Sequence, residues 1–211
     1  CRQKCTFCNF ASGVFPQALI TEYLDGLEAE IRAYPWEWVP ETLYIGGGSP
    51  SEMELEALQR LLEAVPGRPW VEATIEAPPG SITPEKASAW RKLGINRVSL
   101  GVQSFVSREL ASTGRRHNAA VVSAEIDCLR SAGIDNFNID LIAGLPGQNR
   151  ASWQESLDWV ERVRAPHVSV YMLEVDSESR LGAELLAGGK RYRAAEVPPE
   201  DLIVELYLCA V

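Results

Sequence analysis

A chain of 211 residues, 46% of them hydrophobic, can bury one substantial core and falls in the size range of a single domain. A formal net charge of -9 and a pI near 4.9 set most of its surface against phosphate backbones, which excludes nucleic acid as a general partner. No run of about 18 apolar residues and no signal-peptide pattern occurs, so the expected setting is cytoplasmic, where thiols stay reduced.

Three of the five cysteines crowd into the first eight residues, as Cys1, Cys5 and Cys8. Residues 18–33 then place Leu19, Tyr23, Leu24, Leu27 and Ile31 on one helical stripe. A strand over 42–45 ends in Gly46-Gly47-Gly48, and Ser51 with Glu54 predicts a capping box for a second helix that buries Leu55, Leu58, Leu61 and Leu62. A strand follows at 71–76. Thr83 as N-cap with Pro84 at the first helical position opens a third helix, ahead of a strand over 97–101. Residues 118–132 read as a helix, 137–140 as a strand, 151–164 as a helix and 167–172 as a last strand. At Pro198-Pro199-Glu200-Asp201 another helical pattern begins, and it runs out at Val211. With a ligand-type cysteine at position 1, both ends read as cut and the chain as a fragment. Cys128 and Cys209, isolated in apolar surroundings, read as buried packing residues.

Strand–helix–strand units of about 30 residues imply right-handed crossovers and a parallel sheet. Polar residues choose between an open sheet and a barrel. Nearly every strand ends in glycines or a lone polar residue: Gly46-Gly47-Gly48-Ser49, Glu76, Gln103, Asp140, and Glu174 after the last. In a parallel barrel those ends meet on one face, where sites are built. Five strands are too few to close an eight-stranded barrel, so an incomplete α/β barrel is expected.

The spacing Cys1-x3-Cys5-x2-Cys8 lets three thiolates each take one iron of a [4Fe–4S] cubane and leaves the fourth iron open. S-adenosylmethionine, chelating that iron through its amino and carboxylate groups, would accept an electron into its sulfonium and break a carbon–sulfur bond. A structural zinc site asks for four ligands in two spaced pairs; no second pair exists, and neither His117 nor His167 sits at ligand spacing. The glycine triplet serves equally as a tight turn or as backbone that approaches a small zwitterion without an intruding Cβ. Glu76, Gln103, Arg115 and Asp140 are either rim salt-bridge residues or, gathered on one face, partners for the ribose hydroxyls, amino group and carboxylate of one ligand.

These residues sit in Cys5-Thr6-Phe7-Cys8-Asn9-Phe10, Tyr44 to Ser51, Thr74 to Ala77, Gly94 to Phe105, Gly114-Arg115 and Asn138 to Gln148. Together they resemble the radical SAM proteins related to oxygen-independent coproporphyrinogen III oxidase, and among them the heme chaperone branch. The resemblance runs from Cys1 to about Glu174. It implies a partial (β/α)6 radical SAM barrel with cluster and cofactor at its open top, over residues 1–175, with 176–211 as a connecting segment and the start of a further region. It implies roles as well: Gly47 and Gly48 near the methionine end of the cofactor, Phe7 against its adenine, and Ser49, Glu76, Gln103, Arg115, Asp140 and Glu174 at the other contacts. The oxidase branch carries a fourth cysteine two residues after the third, where this chain has Phe10. That difference favours the chaperone branch, with heme as cargo. Ser49 stands where the family usually has Thr, Pro78 where it has Asn, and the first strand and the C-terminal domain expected to help hold porphyrin are missing.

Two functions are therefore carried forward. One is a heme chaperone, served by a reductant such as a flavodoxin-like electron donor and handing heme to an accepting protein, a membrane-associated recipient included. The other is a coproporphyrinogen III dehydrogenase, in which hydrogen abstraction from two propionate side chains precedes decarboxylation. RNA modification is disfavoured by the acidic balance and the lack of a basic stripe.

Overall fold

The computed structural model describes residue 1 and residues 3–210. In chain order the elements are α1 (Gln17–Ala33), β1 (Thr42–Ile45), α2 (Leu55–Ala64), β2 (Glu72–Ala77), α3 (Pro84–Lys92), β3 (Arg97–Gln103), α4 (Ser107–Ser112), α5 (Ala119–Ser131), β4 (Asn136–Ala143), α6 (Arg150–Arg162), β5 (His167–Met172), α7 (Arg180–Ala187) and α8 (Glu200–Leu208). The five strands form one parallel sheet in the order β1-β2-β3-β4-β5. A doubly wound sheet reverses its order at a switch point, whereas this one advances by one neighbour at every crossover, as the arc of a barrel does.

Alternation along the strands gives the arc two different faces. Leu43, Ile45, Ala73, Ile75, Val98, Leu100, Phe137, Ile139 and Leu141 pack outward into one core with Leu58, Leu62, Trp90, Ile126, Leu129 and Trp153 of the helices. The residues between them, Thr74, Glu76, Arg97, Ser99, Asn138, Asp140 and Ser169, line the inner face, and all but Glu76 bond within this set. Asn138 is the hub: its Nδ2 donates to Ser99 Oγ at 3.0 Å and to Asp140 Oδ1 at 2.6 Å, while its Oδ1 accepts from Ser169 Oγ at 3.2 Å. Parallel strands usually read as apolar on both sides because both sides are covered. Here the inner side is polar, and its Glu76, Ser99 and Asp140 face a cavity.

Several local expectations are corrected. The capping box at Ser51 does not form: Glu54 occupies the N-cap of α2 without a side-chain bond, and Ser51 Oγ pairs instead with Ser81 Oγ at 2.9 Å. Of the α1 stripe only Leu24 is buried; Leu19 and Tyr23 are exposed. Cys128 is half-buried and Cys209 exposed, so neither is a fully buried packing residue. Asp140 is not at a strand end, since β4 continues to Ala143. By contrast, Thr83 caps α3 as expected, its hydroxyl accepting from Lys86 N at 3.2 Å ahead of Pro84. The short helices α4 and α7 were not anticipated.

Candidate functional site

The C-terminal ends of the strands, the cysteine loop and the segment after α4 enclose a cavity of about 870 Å³. Cys1, Cys5 and Cys8 line it together with Phe7, Gly47, Gly48, Ser49, Glu76, Gln103, Arg115 and Asp140. Of the residues singled out from sequence, only Glu174 is absent from its walls; it is exposed just beyond β5.

The cysteines are all free thiols. Cys1 Sγ accepts from Ser49 Oγ at 3.4 Å, and Cys8 Sγ lies 3.7 Å from Ser12 Oγ. Among the described residues no three Cys, His, Asp or Glu side chains close on a single metal ion. A cubane does not ask them to, because each thiolate takes a different iron. The loop that carries them is tied down on two sides. Thr6 N donates to Thr113 O at 3.2 Å, and Leu181 N donates to Thr6 O at 2.9 Å. Asn9 Nδ2 reaches Asp176 Oδ2 at 3.0 Å.

The glycine triplet divides its work. A Cβ on Gly46 would lie 2.9 Å from the Glu76 carboxyl and 2.9 Å from the Tyr44 ring, so a side chain there would have to push that pair aside. Gly47 has φ +110 and nothing within 4 Å of the space its Cβ would fill, and a Cβ on Gly48 would lie 3.7 Å from Cys1 Sγ. Open space beside a thiol is where a small zwitterion bound to a cluster would sit.

Glu76 accepts from Tyr44 Oη at 2.9 Å and from Gly47 N at 3.1 Å. Burial and the hydrogen bond to Glu76 push the Tyr44 phenol up to about 12, so it stays a donor. Asp140 has its carboxyl raised by burial, against hydrogen bonds from Asn138 and Ser99 that lower it; Glu76 pushes it further up and Arg115 pulls it down. The three charged groups thus act on one another across one small space. Arg115 donates through Nη1 to Gly101 O at 2.6 Å, while its buried Nε has no partner among the described residues. An orphaned buried donor of this kind is the mark of a place meant for an acceptor. These residues fit a cluster with a zwitterionic ribonucleoside beside it.

Tyr44 and His117 also belong to this neighbourhood and were not assigned a role from sequence. Tyr44 is legible in retrospect, since strand alternation puts it on the same face as Glu76. His117 had no such signal: it comes from a loop, two residues after Arg115.

A family model described as the radical SAM superfamily matches residues 1–160. The chain belongs to the radical SAM superfamily. Membership implies a [4Fe–4S] cluster and S-adenosylmethionine. Among its relatives, the heme chaperone HemW of Lactococcus lactis is 31% identical over 211 residues, covering 98% of this chain and 54% of the relative. The oxygen-independent coproporphyrinogen-III oxidase-like protein HemZ of Bacillus subtilis is 32% identical over 195 residues, covering 86% of this chain and 39% of that one. The solved structure of coproporphyrinogen III oxidase (HemN) from Escherichia coli, a radical SAM enzyme, superposes with a TM-score of 0.85 at 25% identity, over 99% of this chain and 48% of the other. The chain therefore spans about half the length of the relatives it matches. The resemblance read from the motifs, to the coproporphyrinogen oxidase-like group and its heme chaperone branch, is borne out, as is the incomplete α/β radical SAM barrel.

Proposed function

We propose that this chain is the cluster- and cofactor-binding core of a heme chaperone, with residues 1–175 as the core and 176–211 as the connecting segment to a further region. The observation that carries the choice is Phe10. It lies at the cavity wall, 66% exposed, where the oxidase branch has a fourth cysteine. The run of relatives named as heme chaperones supports the same reading.

In this reading Cys1, Cys5 and Cys8 hold the [4Fe–4S] cluster. The bound cluster and S-adenosylmethionine supply one-electron chemistry at a carbon–sulfur bond. The protein's own part is placement. Gly47, Gly48 and Ser49 leave room beside Cys1 for the methionine end, and Phe7 offers a ring to the adenine. Glu76 and Asp140 accept from the amino group and the ribose hydroxyls, Arg115 presents its free Nε to a carboxylate, and Gln103 adds an amide. Glu174 takes part only if the segment after β5 folds inward. Heme is the cargo. A flavodoxin-like reductant and a heme-accepting protein, a membrane-associated recipient included, are the partners, in a cytoplasmic setting; no helix among the described residues is long and apolar enough to cross a membrane.

The second reading, a coproporphyrinogen III dehydrogenase, is favoured by the likeness to the oxidase structure. Anaerobic titration of the full-length, cluster-loaded protein with heme and with coproporphyrinogen III separates the two. Stoichiometric heme binding without porphyrinogen turnover is expected, and catalytic decarboxylation would overturn the chaperone assignment.

A further inference from the structure

The segment 112–117, between α4 and α5, touches both halves of the site. On one side it holds the cysteine loop: Ser112 O accepts from Thr6 Oγ1 at 3.3 Å, Thr113 O from Thr6 N at 3.2 Å, and Gly114 O from Gln3 Nε2. On the other side it grips the end of β3, where Arg115 donates to Gly101 O at 2.6 Å and His117 Nε2 lies 3.1 Å from Val102 O. A carbonyl only accepts, so this Nε2 carries the proton.

The end of β3 needs such a grip. Its register with β4 shifts between Leu100 and Gln103, and Gln103 is held at φ +72, a left-handed conformation that is strained for a non-glycine residue. A Cβ at Gly101 would lie 3.1 Å from Gln103 Nε2 and 3.6 Å from Arg115 Nη2, so a side chain there would press the Gln103 amide aside. Backbone strain of this kind persists only where surrounding contacts over-determine it. His117 is buried, and burial together with the neighbouring Arg115 guanidinium pushes its imidazole down to about 4, so it stays neutral.

We infer that His117 is a positioning residue of the cofactor site: its Nε2–H, donated to Val102 O, holds the irregular end of β3 so that Gln103 and Arg115 face the cavity in register with the cysteine loop. The inference rests on the reading of that cavity as the S-adenosylmethionine site. It differs from a histidine that only fills core volume, because it depends on one hydrogen-bond donor and not on the ring.

The test uses the full-length protein, reconstituted anaerobically, as wild type, His117→Leu and His117→Gln; the Gln amide keeps a donor of similar reach. Iron content, thermal midpoint, S-adenosylmethionine affinity and the change in the reduced cluster's EPR spectrum on adding S-adenosylmethionine are read for each. His117→Leu is expected to keep its iron yet bind S-adenosylmethionine at least about tenfold more weakly, with a muted EPR change, while His117→Gln returns to within about threefold of wild type. Wild-type affinity in His117→Leu, or equal weakening in both variants at full iron content, overturns the inference. Should His117→Leu fail to fold, a folded, iron-replete His117→Gln decides by the same affinity criterion. A wild-type protein that holds a cluster but binds no S-adenosylmethionine defeats the underlying reading of the cavity, and the inference falls with it.

Discussion

At the scale of single residues, the site is built from groups whose neighbours have already fixed their state. Tyr44 remains a phenol because burial and the facing Glu76 both raise it, and His117 remains neutral because it is buried beside Arg115. The histidine makes a pH prediction with a definite sign. Its pKa falls from 6.5 to about 4 on folding, so the unfolded chain takes up a proton first as pH drops. Its contribution is intact above about 6.5 and is lost between there and 4, a change on the order of 3 kcal/mol at about 1.4 kcal/mol per pKa unit. Asp140 and Glu125, raised by burial, act in the opposite direction as they protonate. Denaturant titrations at pH 7.5 and 5 should therefore show a smaller acid loss in His117→Gln than in wild type; equal losses would remove the histidine from the account. At the cluster, Cys5→Ala should abolish iron–sulfur absorbance and iron uptake, since two thiolates do not hold a cubane that already lacks one protein ligand. The cysteines, the glycines and the polar inner-face residues were legible because their chemistry is unusual for their surroundings. His117 was not, because only the folded loop brings it to Val102.

At the scale of elements, sequence punctuation located starts better than ends. Thr83-Pro84 starts α3, and the helix read over 118–132 begins behind Asn118, whose Oδ1 accepts from Val121 N at 3.0 Å. The Ser51 signal misled because a tertiary partner, Ser81, took its hydroxyl. The loop carrying Ser81 shows the same principle at larger cost. Glu125 of α5, buried, accepts from Gly80 N at 3.0 Å and from Ile82 N at 2.6 Å, and so pins the 78–82 loop that walls the cavity. Glu125→Ala leaves those N–H groups without their acceptor, and the expected loss is about 2–4 kcal/mol in urea unfolding at an unchanged m-value. A loss below about 0.5 kcal/mol would mean water replaces the carboxylate and the loop is held elsewhere.

At the scale of the whole molecule, periodic strand and helix patterns sufficed for a parallel sheet in sequential order, because right-handed crossovers leave little choice. They did not separate its two faces. The polar residues were read as strand ends, whereas Glu76 and Asp140 lie within β2 and β4 and reach the cavity through alternation. The same alternation explains how a chain of net charge -9 turns Glu76 and Asp140 into one cavity, where the loop after α4 adds Arg115, while the outer face of the sheet stays apolar. The central claim is that three thiolates and this inner face together hold a [4Fe–4S] cluster with one iron open to S-adenosylmethionine. Anaerobic reconstitution of the full-length protein with iron and sulfide, followed by EPR of the reduced state with and without S-adenosylmethionine, tests it most directly. A reduced [4Fe–4S] spectrum that changes when S-adenosylmethionine is added is expected; uptake of zinc in place of a cluster, or a cluster spectrum indifferent to S-adenosylmethionine, would rule out such a site.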